Sequence, residues 1–183
     1  RKWGFDGFDL DWEYPVVAGH NSNTKPYQNA QQDFDNYISL LAVFKEEFHA
    51  EAARTGKAPL LLTAAVGVGK ATADTAYNIP AMSSHLDLIN LMTYDMHGSW
   101  ESRTGCNAPL YATQEDGELA GYPLSVSWAV EYWLAKGAPA EKLTVGIGAY
   151  GRGWRLSDPS QAGFNAPASG ACAPGPSTQE AGY

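Results

Sequence analysis

Residues 6–13 read Asp6-Gly7-Phe8-Asp9-Leu10-Asp11-Trp12-Glu13, followed by Tyr14-Pro15. Asp9, Asp11 and Glu13 alternate with Phe8, Leu10 and Trp12. On a β-strand this spacing sends the acids to one face and the apolar residues to the other. An acidic face is costly to enclose unless its charges share protons or meet a partner. Three readings follow: carboxylate catalysis, a half-exposed edge strand with its charges in solvent, or a cation site. The calcium-loop form of the third needs ligands at more positions and a glycine turn, and neither follows Glu13.

Working outward, strand-like and helix-like segments alternate. Residues 4–13 read as a strand. Residues 29–54 read as a helix, with Phe34, Tyr37, Ile38, Leu41, Phe44 and Phe48 at helical spacing, a capping pair in Asn29 and Gln32, and Gly56 as the stop. The apolar run at 60–66 predicts a strand buried on both faces. A short helix is expected at 79–84, a strand at 86–94, a helix at 125–136 with Val126, Ala129, Val130, Trp133 and Leu134 inward, and a strand at 143–150.

This alternation, with long crossovers, predicts a parallel α/β architecture. It does not by itself separate a doubly wound sheet from a (β/α)₈ barrel. No glycine-rich phosphate loop opens a helix, which weakens the nucleotide-binding version. The acids, Met92-Thr93-Tyr94-Asp95 and Tyr150-Gly151-Arg152 all fall at carboxyl ends of predicted strands, where barrel enzymes build their sites. The loops at 14–28 and 95–124 are long, as functional loops often are.

The chain has 183 residues, 44% of them hydrophobic, enough for one domain with a core. Its net charge of −8, without a basic run, makes nucleic acid and anionic membrane poor partners. No apolar run approaches the roughly 18 residues of a membrane span. Six Trp and ten Tyr suit sugar rings and a core equally. Cys106 and Cys172 could pair with each other or with partners elsewhere. His20, His49, His85 and His97 have no metal-ligand spacing, and no metal is expected. The start at Arg1, without Met, reads as an internal piece of a longer protein.

Asp6-Gly7-Phe8-Asp9-Leu10-Asp11-Trp12-Glu13-Tyr14-Pro15 resembles the signature of family 18 glycoside hydrolases, the chitinases. Three later segments resemble the same family in the same order: Leu91-Met92-Thr93-Tyr94-Asp95-Met96-His97-Gly98-Ser99-Trp100, then Gly105-Cys106-Asn107-Ala108-Pro109-Leu110, then Tyr150-Gly151-Arg152. The resemblance implies a (β/α)₈ TIM barrel, of which this chain would hold about strands four to seven. Residues 1–154 would be the partial catalytic barrel. Residues 155–183, rich in Gly, Pro, Ser and Ala, would lead into a small α+β insertion. Such a piece is expected to fold poorly alone.

The resemblance also implies chemistry. Glu13 would protonate the leaving sugar and then activate water. Asp11 would hold the substrate's acetamido N–H while the acetamido oxygen attacks the anomeric carbon, and Asp9 would hold Asp11. This is the substrate-assisted exception to the two-carboxylate scheme, with retained configuration. The three acids would titrate as a coupled set. Tyr94 would donate to the acetamido carbonyl. Tyr14, Met92, Asp95, Trp100 and Arg152 would bind substrate; Asp6 and Gly7 would support the strand. Chitin and chito-oligosaccharides would be the partners, no cofactor is implied, and a secreted monomer is expected. Other glycans cut by the same machinery, or sugar binding without turnover, are the alternatives.

Overall fold

The computed structural model describes residues 1–17 and 30–175. Four strands form one parallel sheet: β1 (Gly7–Leu10), β2 (Leu61–Gly67), β3 (Leu88–Met92) and β4 (Leu143–Val145), hydrogen-bonded in chain order. The registers set Gly7 beside Leu61, Thr63 beside Leu88 and Ile89 beside Leu143. Doubly wound sheets reverse their strand order at a switch point. Four strands without a reversal follow the barrel pattern instead.

Helices fill the crossovers. Helix α1 (Asp33–Thr55) joins β1 to β2, α2 (Lys70–Ala76) and α3 (Ile79–His85) join β2 to β3, and α4 (Gln114–Ala120) and α5 (Val126–Ala135) join β3 to β4. A short 3-10 turn at Ala30–Gln32 precedes α1, whose N-cap is Gln32; the expected Asn29 cap lies outside the described residues. Gly56 ends α1 in a left-handed conformation, its N–H bonded to the Ala52 carbonyl. Asn78 caps α3 through its side chain, which accepts from Ala81 N–H at 3.3 Å.

The chain divides into two compact units. The first comprises residues 1–92 and 130–145, the second 93–129 and 146–183. In the first, Leu62, Ala64 and Val66 of β2 and Ile89 and Leu91 of β3 are fully buried. Tyr77 meets Tyr37 edge to face at 6.0 Å between centroids and Trp133 in a tilted contact at 5.6 Å. Phe8 stacks on Phe44 of α1 at 5.1 Å, and Trp12 meets Tyr37 at 6.0 Å, so the apolar side of the acidic stretch is the side that α1 covers. In the second unit an antiparallel pair, β5 (Trp154–Leu156) and β6 (Ala168–Ala171), follows the last parallel strand in sequence.

Several expectations are corrected. The strands are shorter than predicted. Pairing of β1 ends at Leu10 opposite Ala64, so Asp11 and Glu13 lie in the loop beyond the strand rather than on it. Tyr94 likewise lies beyond β3, and Tyr150 beyond β4. Strand β2 buries one face only. Leu62, Ala64 and Val66 are enclosed, while Thr63 and Ala65 on the other face stay half-exposed. Leu134, expected inward, is 39% exposed on the outer side of α5.

Candidate active site

In the first unit the acidic stretch is anchored by its partner strands. Gly7 packs so closely that a Cβ there would stand 2.3 Å from the Leu61 carbonyl oxygen. Only glycine permits that approach. The Asp6 carbonyl accepts from Leu61 N–H at 3.0 Å, extending the contact by one residue. Asp9 then projects onto the open face of the sheet. Its Oδ1 accepts from Thr63 Oγ1 of β2 and from Asn90 Nδ2 of β3, the latter at 2.9 Å. Asn90 Oδ1 in turn accepts from Thr144 Oγ1 of β4 at 2.5 Å. One polar row therefore crosses all four strands and ends on a single oxygen of Asp9.

Asp11 and Glu13 follow at the carboxyl end of β1, both exposed. Burial chiefly, and then the charges of Asp9 and Asp11, hold the Tyr37 hydroxyl well above the usual tyrosine range. Burial likewise raises Tyr77, with smaller contributions from Tyr37, Tyr14 and Glu13. The Glu13–Tyr14 peptide is cis. The Tyr14 ring packs on the backbone of Gly67 at the end of β2. Met92, last residue of β3, is half-buried and pairs with Gly67.

The second unit holds a separate cluster. Asp95 accepts from Tyr150 Oη at 2.6 Å and from Arg152 Nε at 2.7 Å, with a second Arg152 nitrogen 2.6 Å away. Burial first, then the hydrogen bond and charge of Asp95, raise the Tyr150 hydroxyl above its usual range. The Arg152 guanidinium lies over two rings, 5.4 Å from Tyr150 and 5.6 Å from Trp100. Tyr94 meets Tyr150 edge to face at 5.9 Å. Trp100 is 61% exposed, and its ring stands so close to Gly98 that a Cβ there would lie 2.1 Å from it. His97, without a role in the sequence reading, is fully buried, 3.0 Å from Glu101 and 3.3 Å from Asp116.

The structure thus gathers Asp9 with its strand partners in one unit, and Tyr94, Asp95, Trp100 and Arg152 in the other. Thr63, Asn90, Thr144 and Asn107 carry polar contacts that sequence reasoning did not assign. Among the described residues no group of three or more His, Cys, Asp or Glu could hold a metal ion. Cys106 and Cys172 are free thiols. No described helix is long and apolar enough to cross a membrane.

The family model described as glycosyl hydrolases family 18 matches residues 1–183. The chain belongs to glycosyl hydrolase family 18. Its sequential parallel sheet is part of the (β/α)₈ barrel of that family. A probable endochitinase of Caenorhabditis elegans is 45% identical over 161 residues, covering 87% of this chain and 24% of that protein. The group IV chitinase of Ostrinia furnacalis, solved in complex with allosamidin, superposes with a TM-score of 0.82 at 41% identity, covering 99% of this chain and 45% of that one. Human YKL-39, described as a pseudo-chitinase with retained chito-oligosaccharide binding, superposes at 0.84 with 35% identity, covering all of this chain and 46% of that one. The chain spans less than half the length of each of these family 18 proteins.

Proposed function

We propose that the intact protein is a chitinase that hydrolyses β-1,4 links between N-acetylglucosamine units with retention of configuration. The observation that carries the reading is the placement of Asp11 and Glu13. They follow Asp9 directly, at the carboxyl end of a parallel strand, while Asp9 itself is tied into β2 and β3.

The roles are those that the resemblance to family 18 implies for these positions. Glu13 protonates the leaving oxygen and later takes a proton from water. It is exposed here, and a sugar seated against it would supply the desolvation a general acid needs. Asp11 accepts the acetamido N–H and stabilises the oxazolinium ion formed when the acetamido oxygen attacks. Asp9, whose Oδ1 accepts from Thr63 and Asn90, holds Asp11 through a proton shared between the two carboxylates. Tyr94 donates to the acetamido carbonyl. Tyr14, Met92, Asp95, Trp100 and Arg152 bind substrate. Residues 155–183 approach a small insertion, a reading that the antiparallel β5–β6 pair supports. The intact protein acts as a secreted monomer on extracellular chitin.

The test is the acetyl group. N-acetylchitotetraose should be cleaved and the fully deacetylated tetramer left intact; turnover of the latter would refute substrate assistance. The likeness to YKL-39 favours a second reading, binding without turnover. Affinity for the acetylated tetramer without product would establish that reading instead.

A further inference from the structure

The Gly105–Leu110 segment has no part in the reaction above, yet Asn107 joins three stretches of the second unit. Its Oδ1 accepts the Asp95 backbone N–H at 3.0 Å and its Nδ2 donates to the Tyr150 carbonyl at 3.2 Å. Its own carbonyl accepts the Met96 N–H at 3.0 Å. Asp95 has a φ of +57°, in the left-handed region that aspartate enters more readily than most residues, and the Asn107 contacts hold it there.

The carboxylate end of Asp95 is gripped by Tyr150 and Arg152, so the residue is fixed at both ends. Asn107 also holds the Tyr150 backbone, which joins the two grips. A side-chain amide offers an acceptor and a donor from one planar group. Aspartate offers only the acceptor, and alanine neither.

We propose that Asn107 is a positioning residue of the candidate site. It holds the left-handed Asp95 and the Tyr150–Arg152 strap in one register, and through them sets how a sugar is bound. This rests on the reading that Asp95 and Arg152 meet substrate.

Wild type, Asn107→Ala and Asn107→Asp are compared in the intact protein by residue-resolved hydrogen exchange, thermal melting and kinetics on N-acetylchitotetraose. In Asn107→Ala the Asp95 amide should exchange roughly fivefold to tenfold faster. KM should rise by about fivefold, with kcat changing less and melting still cooperative. In Asn107→Asp the Asp95 amide should stay protected while the amides of Gly151 and Arg152 loosen, with a smaller rise in KM. That split is one that a merely structural role would not produce.

Unchanged protection of Asp95 in Asn107→Ala, or uniform loosening of residues 93–129 in both variants with KM unaltered, would overturn the proposal. If Asn107→Ala does not fold, the Asn107→Asp pattern decides alone. Absence of wild-type turnover would sink the chitinase reading, while the exchange pattern would still decide whether Asn107 positions Asp95.

Discussion

Replacing Asn90 by leucine should slow turnover about tenfold while leaving the fold intact. Asn90 Nδ2 donates to Asp9 Oδ1 at 2.9 Å, and its Oδ1 receives the Thr144 hydroxyl at 2.5 Å. A hydrogen bond to a charged group is worth about 1.5–3 kcal/mol, and the exposure of Asp9 points to the lower end of that range. Roughly 1.4 kcal/mol lost in the transition state alone is a factor of ten in rate. Thr144→Val removes a neutral bond of about 1 kcal/mol and should slow turnover about fivefold. The Thr144 effect passes through Asn90, so the double variant should be little slower than Asn90→Leu. The assay is kcat on N-acetylchitotetraose in the intact protein, beside thermal melts. Turnover of Asn90→Leu within twofold of wild type, or full additivity with Thr144→Val, would refute the row as a support for Asp9.

Gly7→Ala should destabilise the intact protein by about 1–3 kcal/mol, read by denaturant midpoint, because the new Cβ meets a backbone oxygen that cannot swing aside. Gly98→Ala should weaken oligosaccharide binding with little loss of stability, since the displaced group is the exposed Trp100 ring; tryptophan fluorescence titration checks this. Asp87 predicts a pH effect. Burial opposes its charge, but Lys45 at 2.8 Å and the Leu62 N–H at 2.7 Å prevail and lower its proton affinity. A carboxyl depressed in the folded state adds stability above its unfolded value near pH 4, and that stability is lost as pH falls through the folded value. Melts between about pH 5 and 2 should therefore be less acid-sensitive in Asp87→Asn than in wild type.

What was legible in the sequence was what local pattern controls. Helix α1 shows because its apolar residues, Phe34 to Phe48, recur over about four turns, and the strands because apolar runs end at turn residues. The strand ends were not legible, because pairing sets them: Asp11 looks as strand-like as Asp9 until the last β1–β2 pair is known. Helix α2 has no apolar stripe. Its Asp74 is held by Lys136, Lys70 and Tyr132, two of which come from α5 and the turn after it. Helix α4 did carry a signal, since Thr113 and Asp116 cap it reciprocally, and that signal was missed. The acids of the site were readable from their spacing. Their supports were not, because Thr63 lies 54 residues from Asp9 and Asn90 lies 81 residues away. Only the parallel sheet brings them together.

The central claim is that Glu13 is the acid of a retaining hydrolysis. The direct measurement follows the anomeric protons by NMR as the intact protein, wild type beside Glu13→Gln, acts on N-acetylchitotetraose. The account predicts β-anomer as the first product of wild type and near-total loss of product in the variant. Initial α-anomer, or a variant that turns over like wild type, would contradict it.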